Sequence, residues 1–217
     1  GVQAEGLAAA ERLTSFAGTQ GLARLSVDRG LGPETVFEPV PVSISLSGTP
    51  VGFPVGSFLQ ATEDGEAALV ACVREAVERT RAVADLFAGL GTFALALSAR
   101  VYAAEGARDA ALALKAAAKG VFVDHRDLFR RPLDTAELNR FEAVVLDPPR
   151  AGAKEQVAAI AGSTVPRIAY VSCNPATFAR DAADFRRQGY GLAEVAPVDM
   201  FPHTPHIESV GRLERLP

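Results

Sequence analysis

The 217-residue sequence predicts an α/β fold: a doubly wound, mostly parallel sheet preceded by a small β-rich piece. Two observations predict it. From about residue 81, short apolar runs alternate regularly with helical stretches, the pattern of strands that need helical crossovers. Before that point, short alternating runs are punctuated by Gly and Pro.

Each element follows in order. Residues 4–17 are Ala- and Leu-rich with Glu11 and Arg12 on one side, and predict a helix. Residues 22–28, 40–47 and 51–54 alternate or are β-branched, with Gly30, Gly32, Pro33, Gly48 and Pro50 between them. Residues 61–79 place Ala67, Val70, Ala71, Val73, Ala76 and Val77 on one helical face. Strands are predicted at 82–87, 101–105, 120–123, 143–147 and 168–172, with helices at 93–99, 107–118, 152–161 and 176–188. Runs at 191–198 and 206–213 complete the pattern. The expected division is a small N-terminal piece over 1–55 and a larger domain over 56–217.

Composition narrows the classes. With 48% apolar residues the chain can bury one good core. No apolar stretch approaches the roughly 20 residues of a membrane span, and no leader pattern opens the sequence, so a soluble, cytoplasmic protein is expected, with a monomer as the simplest state. Cys72 and Cys173 are too few and too far apart for a disulfide framework, a zinc site or an iron–sulfur cluster. Cys72 lies in a helical pattern and reads as a core residue. The net charge of −4 weighs against nucleic acid, unless a local site or a further RNA-gripping part supplies the contact.

Asp85-Leu86-Phe87-Ala88-Gly89-Leu90-Gly91-Thr92 follows the first strand of the alternating region. Gly89 and Gly91 allow a tight turn and close approach to a ligand. Glu105 ends the next strand, where an acid can accept ribose hydroxyls. The third glycine of a dinucleotide site is missing, so a nucleoside cofactor without pyrophosphate, S-adenosylmethionine, fits better than NAD. Asp127, after the third strand, stands where an adenine edge would be read or where a helix cap would sit.

Three later segments carry polar chemistry. Asp147-Pro148-Pro149-Arg150 is a stiff turn that fixes an acid and a cation. Ser172-Cys173-Asn174-Pro175 places a thiol at a strand end before a helix, where helix amides are expected to favour thiolate. Residues 198–209 hold His203, His206 and Glu208. Pro205 interrupts any helical ligand spacing, so a rigid loop presenting an acid is the better reading, and no metal is expected.

Together these segments resemble the bacterial RNA 5-methyluridine methyltransferase family. The resemblance rests on Asp147–Gly152, on Ser172–Asp181, on Asp199–Ser209 and on Gly56-Ser57-Phe58-Leu59-Gln60, which is similar to the family's F-x-Q motif. It is strong over 56–217 and weak over 1–55. It implies a Rossmann-like methyltransferase sheet, S-adenosylmethionine as cofactor, and transfer of a methyl to C5 of a uridine in ribosomal or transfer RNA. Carried over by position, Cys173 becomes the nucleophile and Glu208 the general base. Asp147 would hold the uracil edge and Arg150 would orient the base or Cys173. Cofactor contacts fall on Gln60, Phe87, Thr92, Glu105, Asp127 and Asp147. Thr92 stands where the family often has Asn, Asp127 where it has Asn or Asp, and Thr62 where it often has Asn. The β-barrel RNA-binding domain and four-cysteine cluster of some members have no counterpart in this sequence. Competing readings are an amino-methyltransferase of a nucleobase, a non-catalytic scaffold, and a cofactor-binding fragment with little activity.

Overall fold

The computed structural model describes residues 6–217 except Pro202 and Pro205. Residues 4–5 of the first expected helix, and these two prolines of the Asp199–Ser209 motif, lie outside the described residues. The chain opens with α1 (Leu7–Thr19) and two antiparallel hairpins, β1 (Leu25–Asp28) with β2 (Pro33–Phe37) and β3 (Ser43–Leu46) with β4 (Thr49–Gly52). Then come α2 (Glu63–Ala76), β5 (Ala82–Leu86), β6 (Arg100–Glu105), α3 (Arg108–Ala117), β7 (Val121–His125), α4 (Thr135–Leu138) and β8 (Ala143–Leu146). The remainder is α5 (Lys154–Ala161), β9 (Arg167–Ser172), α6 (Pro175–Arg187), β10 (Tyr190–Val198) and β11 (Glu208–Arg215).

Strands β5–β11 form one seven-stranded sheet in the order β10-β11-β9-β8-β5-β6-β7. The pairs β5–β6, β6–β7, β5–β8 and β8–β9 are parallel, whereas β11 runs antiparallel to both neighbours. The mostly parallel, doubly wound prediction therefore matches the observed sheet. Strand order reverses at β5, with β6 on one side and β8 on the other. A crevice opens at such a reversal, outside the carboxyl ends of the strands.

The inner strands β5, β6, β8 and β9 are largely buried on both faces, which is why they read as nearly unbroken apolar runs. All four residues of β8 are buried. Alternate residues serve opposite layers. Leu86, Leu146, Ile168 and Tyr170 pack toward Phe178 and Phe185, while Val83, Val145 and Val171 pack toward Leu69 and Val73 of α2. The β3–β4 hairpin joins the assembly through Leu46 and Val51, which pack with Leu90 and Ala110.

Three local predictions need correction. The helix expected over 93–99 is a run of turns. Its amides bond at mixed spacing, Gly91 to Ala88, Leu95 to Gly91 and Ala96 to Phe93. Gly91 is left-handed at φ +98°, and Phe93 and Ala94 are anchored in the core, so too few residues remain for regular helix before β6. β2 occupies a stretch read as punctuation. α4 is also new, and its Asp134–Glu137 capping box is a sequence signal that was present.

Candidate active site

The loops after β5, β6 and β7 meet at one side of the crevice. Phe87 takes a left-handed φ of +65°, and the amides of Phe87 and Ala88 donate to the carbonyl of Ala104 at 3.0 and 3.1 Å. Gly89 also has positive φ, and its side-chain direction is open space. Its amide donates to one Glu105 oxygen at 2.8 Å, and the Ala107 amide donates to the other at 2.6 Å. Gly91 differs: a methyl there would overlap Leu114. Gly89 thus leaves room above the loop, while Gly91 lets α3 pack beneath it.

Asp127 is exposed and accepts the Phe129 and Arg130 amides at 3.0 and 3.2 Å. It therefore caps the turn that follows, and its second oxygen lies 3.6 Å from the Arg130 guanidinium. The Phe129 ring rests 5.3 Å from that of Phe87. Thr92 and Gln60 are half-buried, Gln60 standing two residues before Thr62, the N-cap of α2.

The other side of the crevice is acidic. Asp147 follows β8, and its amide donates to the Leu86 carbonyl at 3.3 Å, tying the DPPR turn to the strand before the glycine loop. Its carboxyl is pushed well above the usual range by burial, then by the charges of Asp85 and Glu208. Asp85, at the end of β5, is fully buried, and neither oxygen has a hydrogen-bond partner of proper geometry. Burial raises it to about 7, with Glu105 adding to the rise and the nearby Ala94 amide opposing it. The sequence takes Asp85 only as the start of the Asp85–Thr92 motif and assigns it no contact of its own. The available signal was an acid ending an apolar strand.

Cys173 follows β9, and Glu208 opens β11. Ser172 pairs with Ser209 across these strands, so thiol and carboxyl arrive side by side from distant sequence. Glu208 is only 8% exposed; burial raises its carboxyl while Arg150 opposes the rise. Cys173 is half-buried. Its thiol is pushed up, first by burial and then by Glu208, with Asp147 adding to the rise and Arg150 opposing it. The net shift is upward, against the lowering expected of the helix N-terminus, although the residue's own backbone amide opposes the rise as Arg150 does. Pro175 opens α6 without an N–H, and the Asn174 side chain already takes the Ala176 amide at 3.0 Å. Arg150 is exposed, and its carbonyl accepts from Asn174 at 3.3 Å.

Among the described residues no group of three or more His, Cys, Asp or Glu is arranged to hold a metal ion, and no helix is long and apolar enough to cross a membrane. His203 and His206 are exposed, with His206 against the Phe201 ring at 6.0 Å.

Comparison with known proteins places this architecture. A Zymomonas mobilis protein described as an RNA methyltransferase is 56% identical over 218 residues, covering 98% of this chain and 55% of that protein. A Pseudomonas fluorescens 23S rRNA (uracil(1939)-C(5))-methyltransferase is 40% identical over 170 residues, covering 73% of this chain and 37% of its own length. The chain thus spans about half the length, or less, of these curated relatives. Among solved structures, the Pyrococcus abyssi tRNA (uracil-54, C5)-methyltransferase in complex with S-adenosyl-L-homocysteine superposes with a TM-score of 0.73 at 28% identity. That match covers 88% of this chain and 50% of the other. The tRNA (uracil-5-)-methyltransferase family model matches residues 52–216, and the chain belongs to that family.

Proposed function

We propose that this chain carries the catalytic part of an S-adenosylmethionine-dependent RNA methyltransferase that modifies C5 of a uridine in ribosomal or transfer RNA through a covalent Cys173 adduct. The observation that carries this is the convergence, where β8 and β9 end and β11 begins, of one thiol, two carboxyls and one guanidinium: Glu208, Asp147 and Arg150 all act on the Cys173 thiol, Glu208 acts on Asp147, and Arg150 acts on Glu208.

The glycine-loop side suits the cofactor. Space is open above Gly89, and each Glu105 oxygen accepts one amide, leaving a lone pair for a ribose hydroxyl. Asp127 has one oxygen outside its capping role, and Phe87, Thr92, Gln60 and Asp147 complete the proposed contacts. When bound, S-adenosylmethionine supplies an electrophilic methyl group.

The chain's residues do the rest. Uracil C5 is a weak nucleophile, and attack of the Cys173 thiolate on C6 makes it electron-rich. Once C5 is methylated, the Glu208 carboxylate takes the C5 proton. That C–H electron pair restores the C5–C6 double bond, and the S–C6 bond breaks with its pair returning to sulfur. Asp147 holds the uracil edge and Arg150 orients the base. The uridine must leave its stack to reach this crevice, which favours a loop or splayed-out base.

RNA carrying 5-fluorouridine tests the scheme, since fluorine does not leave as a proton does. A denaturation-resistant protein–RNA complex is expected from the wild type and none from Cys173→Ala. Normal methylation by Cys173→Ala would refute the covalent route.

A further inference from the structure

The loop ahead of Glu208 is exposed at Asp199, His203, Thr204 and His206. Met200 breaks that pattern. It is 4% exposed and packs in the core layer beneath α2 with Leu69, Val73 and Val171. Its Cγ and Sδ lie directly over Gly65, so close that a methyl there would overlap both. Gly65 sits in the first turn of α2 and donates its amide to Thr62 Oγ1 at 3.1 Å. Thr62 follows Gln60 by two residues. One side chain therefore bridges the loop that delivers Glu208 and the segment that carries Gln60. Glycine inside a helix is unfavourable relative to alanine. At position 65 the missing methyl is the space Met200 fills.

We propose that Met200, seated on Gly65, is a positioning residue that fixes Glu208 relative to Gln60 and Cys173 for removal of the C5 proton. The proposal rests on the function given above. Met200 touches no reacting atom; its effect passes through the loop to the Glu208 carboxyl. A misplacement of about 1 Å at a catalytic group can slow a step by on the order of a hundredfold. Cys173 ends a different strand, so the seat reaches adduct formation only weakly, through Val171 and through the Glu208 charge.

The test separates the two steps, using S-adenosylmethionine with RNA tritiated at uracil C5 and, separately, with 5-fluorouridine RNA. For Met200→Ala, trapped adduct should form within about twofold of the wild-type rate, while single-turnover tritium release slows by about tenfold or more. Gly65→Ala displaces the same side chain from the opposite side and should give the same split. Met200→Leu refills the seat and should restore release. Wild-type release by Met200→Ala, or equal loss of adduct and release, overturns the inference. If circular dichroism shows that Met200→Ala does not fold, Gly65→Ala and Met200→Leu decide by the same criteria. A folded wild-type protein that binds S-adenosylhomocysteine yet forms neither adduct nor tritiated water overturns the functional reading instead.

Discussion

Cys173 illustrates how a residue's surroundings can reverse what its position suggests. A strand end before a helix predicts a ready thiolate, but Asn174 and Pro175 leave few amides to stabilise one. Burial and the Glu208 and Asp147 charges then raise the thiol. In a Cys72→Ser background, alkylation of Cys173 by iodoacetamide at pH 8 should speed up by roughly 2–5-fold in Glu208→Gln, because one upward cause is removed. Arg150→Ala should slow it by a similar factor, because the opposing cation is lost. Unchanged rates in both variants would mean that these groups do not set the thiol's state. The motif residues were legible because each follows an apolar run. Their mutual electrostatics were not, since Glu208 reaches Cys173 only through the pairing of β11 with β9. Asp127 was legible as an acid in the loop after β7, while its capping of Phe129 and Arg130 shows one oxygen already engaged by the backbone.

At the scale of elements, the loop after β5 separates packing from open space within three residues. Both glycines have positive φ, yet only Gly91 has neighbours in the way of a side chain. Gly91→Ala should therefore lose stability by roughly 2–3 kcal/mol, read as a shift in the urea unfolding midpoint. Gly89→Ala should lose only about 1 kcal/mol. Its main effect should be weaker S-adenosylhomocysteine binding by calorimetry, by about tenfold or more. The reverse pattern would show that Gly89 does not face the cofactor. This loop also marks where sequence periodicity failed. Residues 93–99 have helical composition, but composition does not register that Gly91 turns left-handed and that Phe93 is held by the core. The strands β5, β6, β8 and β9 were legible because burial on both faces leaves little choice but apolar side chains.

The whole molecule carries a charge placed where water does not reach. Asp85 ionises at about 7 when folded, against 3.8 in the unfolded chain, so the folded state holds its proton more tightly. Stability falls as pH rises wherever the folded state binds more protons. The loss therefore spans about pH 4 to about pH 7 and stays constant above, amounting to roughly 4 kcal/mol if no compensating partner is present. Asp147 and Glu208 are shifted in the same direction and add to the slope. Denaturant unfolding at pH 5 and pH 8 should show a smaller difference for Asp85→Asn than for the wild type, with the variant more stable at pH 8. An unchanged difference would show that Asp85 is not a source of the slope.

The placement of β11 has a consequence for the order in which the molecule can be completed. β11 follows β10 in the chain but lies between it and β9. Until β11 has left the ribosome, β10 has no strand to pair with and β9 is an open edge. The same strand begins with Glu208. A nascent or truncated chain that stops short of it lacks two strands of the sheet and the Glu208 carboxyl together, so one strand supplies both the partner of β9 and β10 and that carboxyl.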